Sequence, residues 1–214
     1  MNKNPTKRKY DSTRRQAQAR STRREIVEAA RRLFFSSGYS GTTIEMIARE
    51  AGVATETVYA VFGNKMAILA KLVDISIVGD DEPVPLLERP NIQAATQINN
   101  PGQLIEKFST DIAGIMQRMS PVFMLLRATA PSEPETAALL EKLLKGRIEG
   151  MTFFVSQLKR MGALREGLSV EQAAETTWVI SSGEVFHMLT VDRGWMKEQY
   201  VHWLVVTLGR VLLH

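Results

Sequence analysis

Four polar residues, Thr55, Glu56, Thr57 and Tyr59, crowd into five positions just past Gly52, which interrupts a helical apolar pattern in IEMIAREAGVATETVYAVFGNK, residues 44–65. Thr42 and Thr43 stand before this stretch and Lys65 closes it. Their chemistry is that of recognition rather than bond-breaking. A Thr methyl can meet a thymine methyl, and a Glu carboxylate can accept from cytosine N4. The Tyr59 hydroxyl, the hydroxyls or amides of Thr42 and Thr43 at a helix N-terminus, and the Lys65 ammonium are groups that position a phosphate. Plainer roles remain open: Thr42 as a helix cap, Glu56 as a favourable acid in a first turn, Lys65 as an exposed cation.

Catalytic equipment is missing. The chain has no cysteine, which removes disulfides, thiolate metal sites and thiol nucleophiles together. Its three histidines, His187, His202 and His214, offer no helical ligand set beyond the single pair of His187 with Glu184. No Gly-rich phosphate loop and no GxSxG occur, and SSGE at 181–184 falls inside an expected helix. The sequence predicts no enzyme, no metal and no cofactor.

The elements that must hold the polar cluster are helical. Thr22 to Ser36 spaces Ile26, Ala29, Ala30, Leu33 and Phe34 by threes and fours, and Thr22 with Glu25 reads as a capping box. A second such box, Thr42 with Glu45, opens a short helix through Glu50; a third helix covers about Thr55 to Ala60, and Asn64 caps a fourth toward Val78. Two short helices crossing at a tight turn need a small residue where they approach and one tolerant of left-handed backbone in the turn. Ala48 and Gly52 fill those places, with Ile44, Ile47, Val53, Val58, Val61 and Phe62 pointing inward. The outer face of the third helix is then free to enter a major groove.

Beyond Val78, prolines at 83, 85, 90 and 101 mark a long connection with a turn of helix at Leu86 to Glu88. Helical patterns then recur at about 103–119, 121–129, 135–161, 170–189 and 196–213, with Ser169 and Gln172 as a further capping box. No strand-like alternation stands out, so the predicted class is all-α. At 214 residues, 44% hydrophobic and 23% charged, the chain suits one or two folded domains. No window approaches the roughly 18 apolar residues of a membrane span and no signal-peptide pattern opens the chain, so the expected location is the cytoplasm.

The net charge of +4 is unevenly spread. Residues 1–32 hold eleven Lys or Arg against three acids, a net of +8, which leaves −4 for the rest. Such an asymmetry fits a polyanion binder that releases condensed counterions, or else a merely solvated tail.

The distal helices carry large apolar residues whose default place is a core. Flexible Met and flat aromatics also line ligand cavities, and Met116, Met119, Phe123, Met124, Phe154 and Trp178 are candidates for one. Arg127, Ser181 and His187 lie among them as polar groups to orient a guest. Near the chain end, Val185 and Leu189, then Tyr200, Leu204, Leu208 and Val211, form apolar stripes that suit packing within the chain or against another subunit.

The run GYSGTTIEMIAREAGVATETVYAVFGNKMAIL, residues 38–69, together with IVEAARRLF before it, resembles the TetR-type transcriptional repressors. The likeness covers about 50 residues; the later chain is similar in layout and in the ending DRGWMKEQYVHWL. The resemblance implies a homodimer whose N-terminal modules bind double-stranded operator DNA, released when a small, largely apolar effector enters the larger domain, and it places a four-helix dimer interface on the last two helices. It divides the chain into a flexible basic arm, 1–20, a helix-turn-helix domain, 21–65, and a helical effector-binding and dimerisation domain, 66–214. Two departures matter: Ala54 stands where many members have a hydroxyl cap, and Glu45 where many have Arg. A basic DNA-associating protein whose helical domain serves assembly without a ligand is the alternative.

Overall fold

The computed structural model describes residues 12–214. Helix α1 spans Ser12–Ser37 and so begins well before the Thr22 capping pattern. Arg14 to Arg20 are all good helix formers with no Gly or Pro among them, and the helix propagates back through them. Of the expected flexible arm, residues 12–20 are therefore the first turns of α1, exposed from Arg14 to Arg20; residues 1–11 lie outside the described residues. From Ile26 on, α1 buries one face through Ile26, Ala29, Ala30 and Phe34.

Helix α2, Ile44–Ala51, is capped by Thr43, whose side chain accepts from the Met46 N–H at 3.2 Å. The cap thus sits one residue later than the sequence suggests, and no Thr42–Glu45 box forms. Thr42 is instead 1% exposed and donates its hydroxyl to the Gly38 carbonyl at 2.8 Å. At the other end Gly52 adopts φ 68° and ψ 30°. Its N–H reaches Arg49 O at 3.2 Å and the Val53 N–H reaches Ala48 O at 3.0 Å, which is the Schellman closure. Helix α3, Thr55–Phe62, starts behind Ala54, which supplies no side-chain cap. Ile44, Ile47, Ala48 and Val58 are buried, while Val53, Val61 and Phe62 are half-buried.

Helix α4 runs Lys65–Val78, with the Asn64 side chain accepting from the Ala67 N–H at 2.8 Å. Lys65 turns back to the loop between α1 and α2. Its ammonium donates to Tyr39 O at 2.7 Å and Thr42 O at 2.9 Å and lies 4.1 Å from the Tyr39 ring centroid. The chain divides into two compact units, one ending at Leu69 and one covering Ala70–His214, and the division falls within α4.

The second unit opens with the proline-rich connection, pinned by Arg89, which donates to both carboxylate oxygens of Asp80 at 2.6 and 2.8 Å. The expected turn at Leu86–Glu88 is a 3-10 turn, followed by a one-turn α5, Pro90–Gln93, and a second 3-10 turn, Ala94–Gln97. Helix α6 is continuous over Pro101–Thr129, although the sequence predicts a break at Pro121. Both Pro121 and Gln117, whose carbonyl loses its N–H partner, face solvent, so water can take the place of the missing bond. Helix α7 covers Pro134–Arg160, and α8, Val170–Ile180, opens on the Ser169–Gln172 capping box as expected. The single helix expected over 170–189 breaks at Ser181–Ser182, because the Ser182 side chain caps a new helix, α9, Gly183–His187. Gly183 is required there: a Cβ would stand 2.9 Å from the Phe123 ring. A π turn, Met188–Asp192, leads to α10, Lys197–Leu212.

One face of α10 disappears into this unit. Tyr200, Leu204, Leu208 and Leu212 are each 0% exposed, and α10 packs on α6. Tyr200, Leu204 and Leu208 therefore belong to the chain's own core and not to a subunit interface; Val185, Leu189 and Val211 are half-buried. The stripe exists, but α6 is its partner. Among the described residues there is no strand, only an isolated bridge between Leu164 and Leu213, and the class is all-α.

Two glycine substitutions should have opposite signs. Gly52→Ala places a Cβ on left-handed backbone and should cost about 1–2 kcal/mol; Gly146→Ala, inside α7 with open space around it, should stabilise by up to about 1 kcal/mol. Denaturant midpoints followed by circular dichroism would show the pair, and equal signs would contradict these backbone assignments. Lys65→Met should lower the stability of the N-terminal unit by about 1–3 kcal/mol, since two loop carbonyls lose a charged donor. An unchanged melting curve would mean that the ammonium is not engaged as the geometry shows.

Candidate nucleic-acid interface

The outward face of α3 is short and polar. Tyr59 is 49% exposed, Glu56 and Ala60 are exposed, and Thr55 and Thr57 are half-buried at its start. Val58 anchors the opposite side at 0% exposure, so the two faces of this two-turn helix are committed in opposite directions. Of the residues singled out in sequence, Thr55, Glu56, Thr57 and Tyr59 are brought onto one helix, and Thr43 caps the neighbouring one. Thr42 drops out, buried and bonded as it is.

Glu45 at the start of α2 is exposed, and its carboxyl is held below the usual range first by a bond from its own backbone N–H and then by the Thr43 hydroxyl. A helix N-terminus offers orphan N–H groups to an anion, and here the protein's own carboxylate already occupies that role. Lys65 also departs from the simple expectation. Its ammonium is directed at Tyr39 O and Thr42 O, because the carbonyls that end the α1–α2 turn converge above it. It shapes the loop that carries Thr43.

Positive charge comes from α1. Arg14, Arg15, Arg20, Arg23 and Arg24 are all exposed; further along the helix Arg31 pairs with Glu28 at 2.7 Å and Arg32 with Glu50 at 2.8 Å. Arg23 also lies 5.7 Å from the Phe62 ring centroid, which ties this ridge to α3. The charges are plain in the sequence and their alignment is not: a continuous helix sets them in a row where a flexible arm is expected.

The larger unit holds an apolar cleft, partly open to solvent, with a cavity volume of about 80 Å³. Its floor is Leu104, Phe108, Ile112 and Ile115 of α6; Gly150, Met151, Phe153 and Phe154 of α7 form a wall, and Leu86, Leu87, Ile92 and Ala95 cover it. Phe108 and Phe154 stack at 4.0 Å, and the Lys107–Asp111 ion pair, 2.7 Å, sits at the edge. Of the nine residues proposed from sequence to line a pocket, only Phe154 does so. Met116, Met119 and Phe123 are closed core, and Ser181 is buried with its hydroxyl bonded to Thr177 O. Met124 is 37% exposed and Arg127 is paired with Glu184 at 3.0 Å. Trp178 covers Arg147, and His187 stands 3.9 Å from Asp192. The missed lining residues carry a signal, apolar positions at 104, 108, 112 and 115 on one helical face, but nothing in sequence says that the proline-rich connection roofs them.

Among the described residues no group of His, Asp and Glu could hold a metal ion, and no helix is long and apolar enough to cross a membrane. Residues 26–72 match the family described as "Bacterial regulatory proteins, tetR family". The HTH-type transcriptional repressor BepR of Brucella suis biovar 1 (strain 1330) is 25% identical, over 85% of this chain and 87% of its own. The fatty acid metabolism regulator protein of Bacillus subtilis (strain 168) is 26% identical, over 73% and 83%. The structure of a SmeT–triclosan complex superposes with a TM-score of 0.69 at 18% identity, covering 91% of this chain and 92% of that one. With a helix-turn-helix that buries its inner face and leaves α3 open, and with residues 26–72 matching the tetR family of bacterial regulatory proteins, the chain is a DNA-binding transcriptional regulator.

Proposed function

We propose that this regulator is a homodimeric repressor, acting in the cytoplasm, that leaves a palindromic operator when a small apolar molecule occupies the α6–α7 cleft. The observation that carries this reading is the cleft itself, an almost wholly apolar opening between α6 and α7 in a chain whose other unit is a DNA-binding module. The likeness to SmeT, whose structure holds triclosan, and to a fatty acid metabolism regulator supports an apolar effector.

In this reading Thr55, Glu56 and Thr57 meet base edges, and Thr43 and Tyr59 position phosphates. Lys65 acts indirectly, by fixing the loop before α2. Helix α3 carries neither Arg nor Lys, so the electrostatic share of affinity comes from the α1 ridge. Dimer symmetry would set two α3 helices about 34–36 Å apart, one turn of DNA. Apolar residues exposed near the chain end, Val179, Met188, Val191, Met196 and Val206, support a subunit interface on the outer faces of α8 to α10. Within the larger unit, Arg118 of α6 donates to Ser76 O and Ile77 O, both at 3.1 Å, at the C-terminal end of α4.

DNA retardation against salt tests the electrostatic role. Replacing Arg14, Arg20 and Arg24 by Gln should flatten the slope of log affinity against log salt by about 0.9 for each phosphate that is no longer neutralised, while Tyr59→Phe weakens binding at every salt concentration without changing the melting temperature. An unchanged slope in the triple variant would remove α1 from the interface.

Effector release is tested with triclosan and 1-decanol as probes. Each should raise the melting temperature and abolish the retarded band. Gly150→Leu, which projects from α7 into the cleft, should abolish both responses and leave DNA binding intact. Equal release from Gly150→Leu would place the effector elsewhere.

A further inference from the structure

We propose that Arg147, Trp178 and Tyr200 form a buried head-group site for a carboxylate, so that the effector is an anionic amphiphile whose tail lies in the α6–α7 cleft. The inference rests on the cleft reading above and adds a charge to it. Arg147 projects from α7 one turn before Gly150 and Met151, which line the cleft. One guanidinium nitrogen donates to Trp178 O at 3.0 Å in the last turn of α8 and to Ser181 O at 3.3 Å just past its end, and the guanidinium lies 4.9 Å from the Trp178 ring centroid.

The rest of that guanidinium has nothing to bond. Its Nε and Nη1 are buried without a hydrogen-bond partner among the described residues, and so are the Trp178 indole N–H and the Tyr200 hydroxyl. Native proteins leave few such atoms, and here four polar atoms capable of donating occur on three residues of facing helices, α7, α8 and α10. Burial is the main influence on the Arg147 guanidinium and lowers its pKa, and the nearby charge of Glu184 opposes this. Burial likewise raises the pKa of the Tyr200 hydroxyl, against the charge of Arg147. Glu184 acts on Arg147 through its field, while one of its carboxylate oxygens pairs with Arg127 at 3.0 Å.

A buried cation among donors calls for an acceptor that carries charge. Water would satisfy the hydrogen bonds and bring no negative charge into contact with the guanidinium; a carboxylate does both. Met151 connects this site to the cleft. Its side chain lines the cleft, and its sulfur lies 3.5 Å from the Ser181 hydroxyl oxygen, next to the carbonyl that Arg147 holds. An unbranched thioether can swing aside where a branched side chain would not. The cleft beside it is apolar, which is why a tail accompanies the charge in this proposal.

Calorimetric titration of the full chain with decanoate, 1-decanol and acetate tests the proposal. Decanoate should bind at least tenfold more tightly than 1-decanol, and acetate, a head group without a tail, should bind far more weakly than either. Arg147→Met should cost decanoate at least tenfold and leave 1-decanol unchanged; should that variant fail to fold, Tyr200→Phe, which deletes only a hydroxyl, should still weaken decanoate severalfold. Equal binding of decanoate and 1-decanol, indifferent to both substitutions, overturns the carboxylate site and leaves the apolar cleft standing. Absence of binding by both decanoate and 1-decanol overturns the two together.

Discussion

Everything the N-terminal unit presents to DNA depends on one left-handed residue. With Gly52 at φ 68°, the Gly52 and Val53 amides return to Arg49 O and Ala48 O, so α2 ends fully bonded and the chain leaves at a fixed angle. Two residues later α3 begins. A Cβ at that position would raise the energy of this backbone by about 1–2 kcal/mol, which is large against the stability of so small a unit. Because the turn is short and its hydrogen bonds are satisfied, Ile47 and Val58 reach the same core from different helices, and the opposite face of α3 has no choice but solvent.

That core is narrow, and charged groups complete it. Phe34 and Tyr39 meet at 5.4 Å between ring centroids, the Tyr39 hydroxyl donates to the Met66 sulfur, and Lys65 closes the loop from below by holding two carbonyls over the same ring. A cation placed on carbonyl oxygens and an aromatic face gains in both contacts. The loop so fixed is the one that delivers Thr43 to the start of α2. Rigid presentation of a few polar groups is what sequence readout requires, since loose side chains lose entropy on every contact.

Much of this is legible in the residues alone. Helix positions, the Gly52 turn, the uncapped start at Thr55 and the all-α class follow from local chemistry: capping residues, spacing by threes and fours, and glycine where φ is positive. What is not legible depends on partners distant in sequence. Thr42 and Thr43 are equivalent as caps until one hydroxyl finds Gly38 O, and a shift of one residue exchanges a surface group for a buried one. Tyr200, Leu204 and Leu208 form a stripe that states a need for burial but not whether α6 or another subunit meets it. For the same reason Met116 and Met119 read as cavity lining when they are core, and the real lining includes Leu86, Leu87 and Ile92 from a connection with little periodic signal.

The larger unit is built with its polar and apolar requirements only half met. A buried guanidinium with two unbonded nitrogens lies one helical turn from an apolar hollow, and Met151 touches both. Either defect alone is a modest cost; adjacent, they make a unit that a single molecule with a charged head and an apolar tail would stabilise over the unfolded chain in proportion to its saturation. Stabilisation becomes regulation only if two arrangements of the unit differ in their affinity for that molecule. Helix α6 supplies the place where they can differ, for its middle forms the floor of the cleft and its Arg118 holds the last carbonyls of α4. Any displacement of α6 that admits a guest must either carry those two hydrogen bonds along or break them, and in both cases the end of α4 answers.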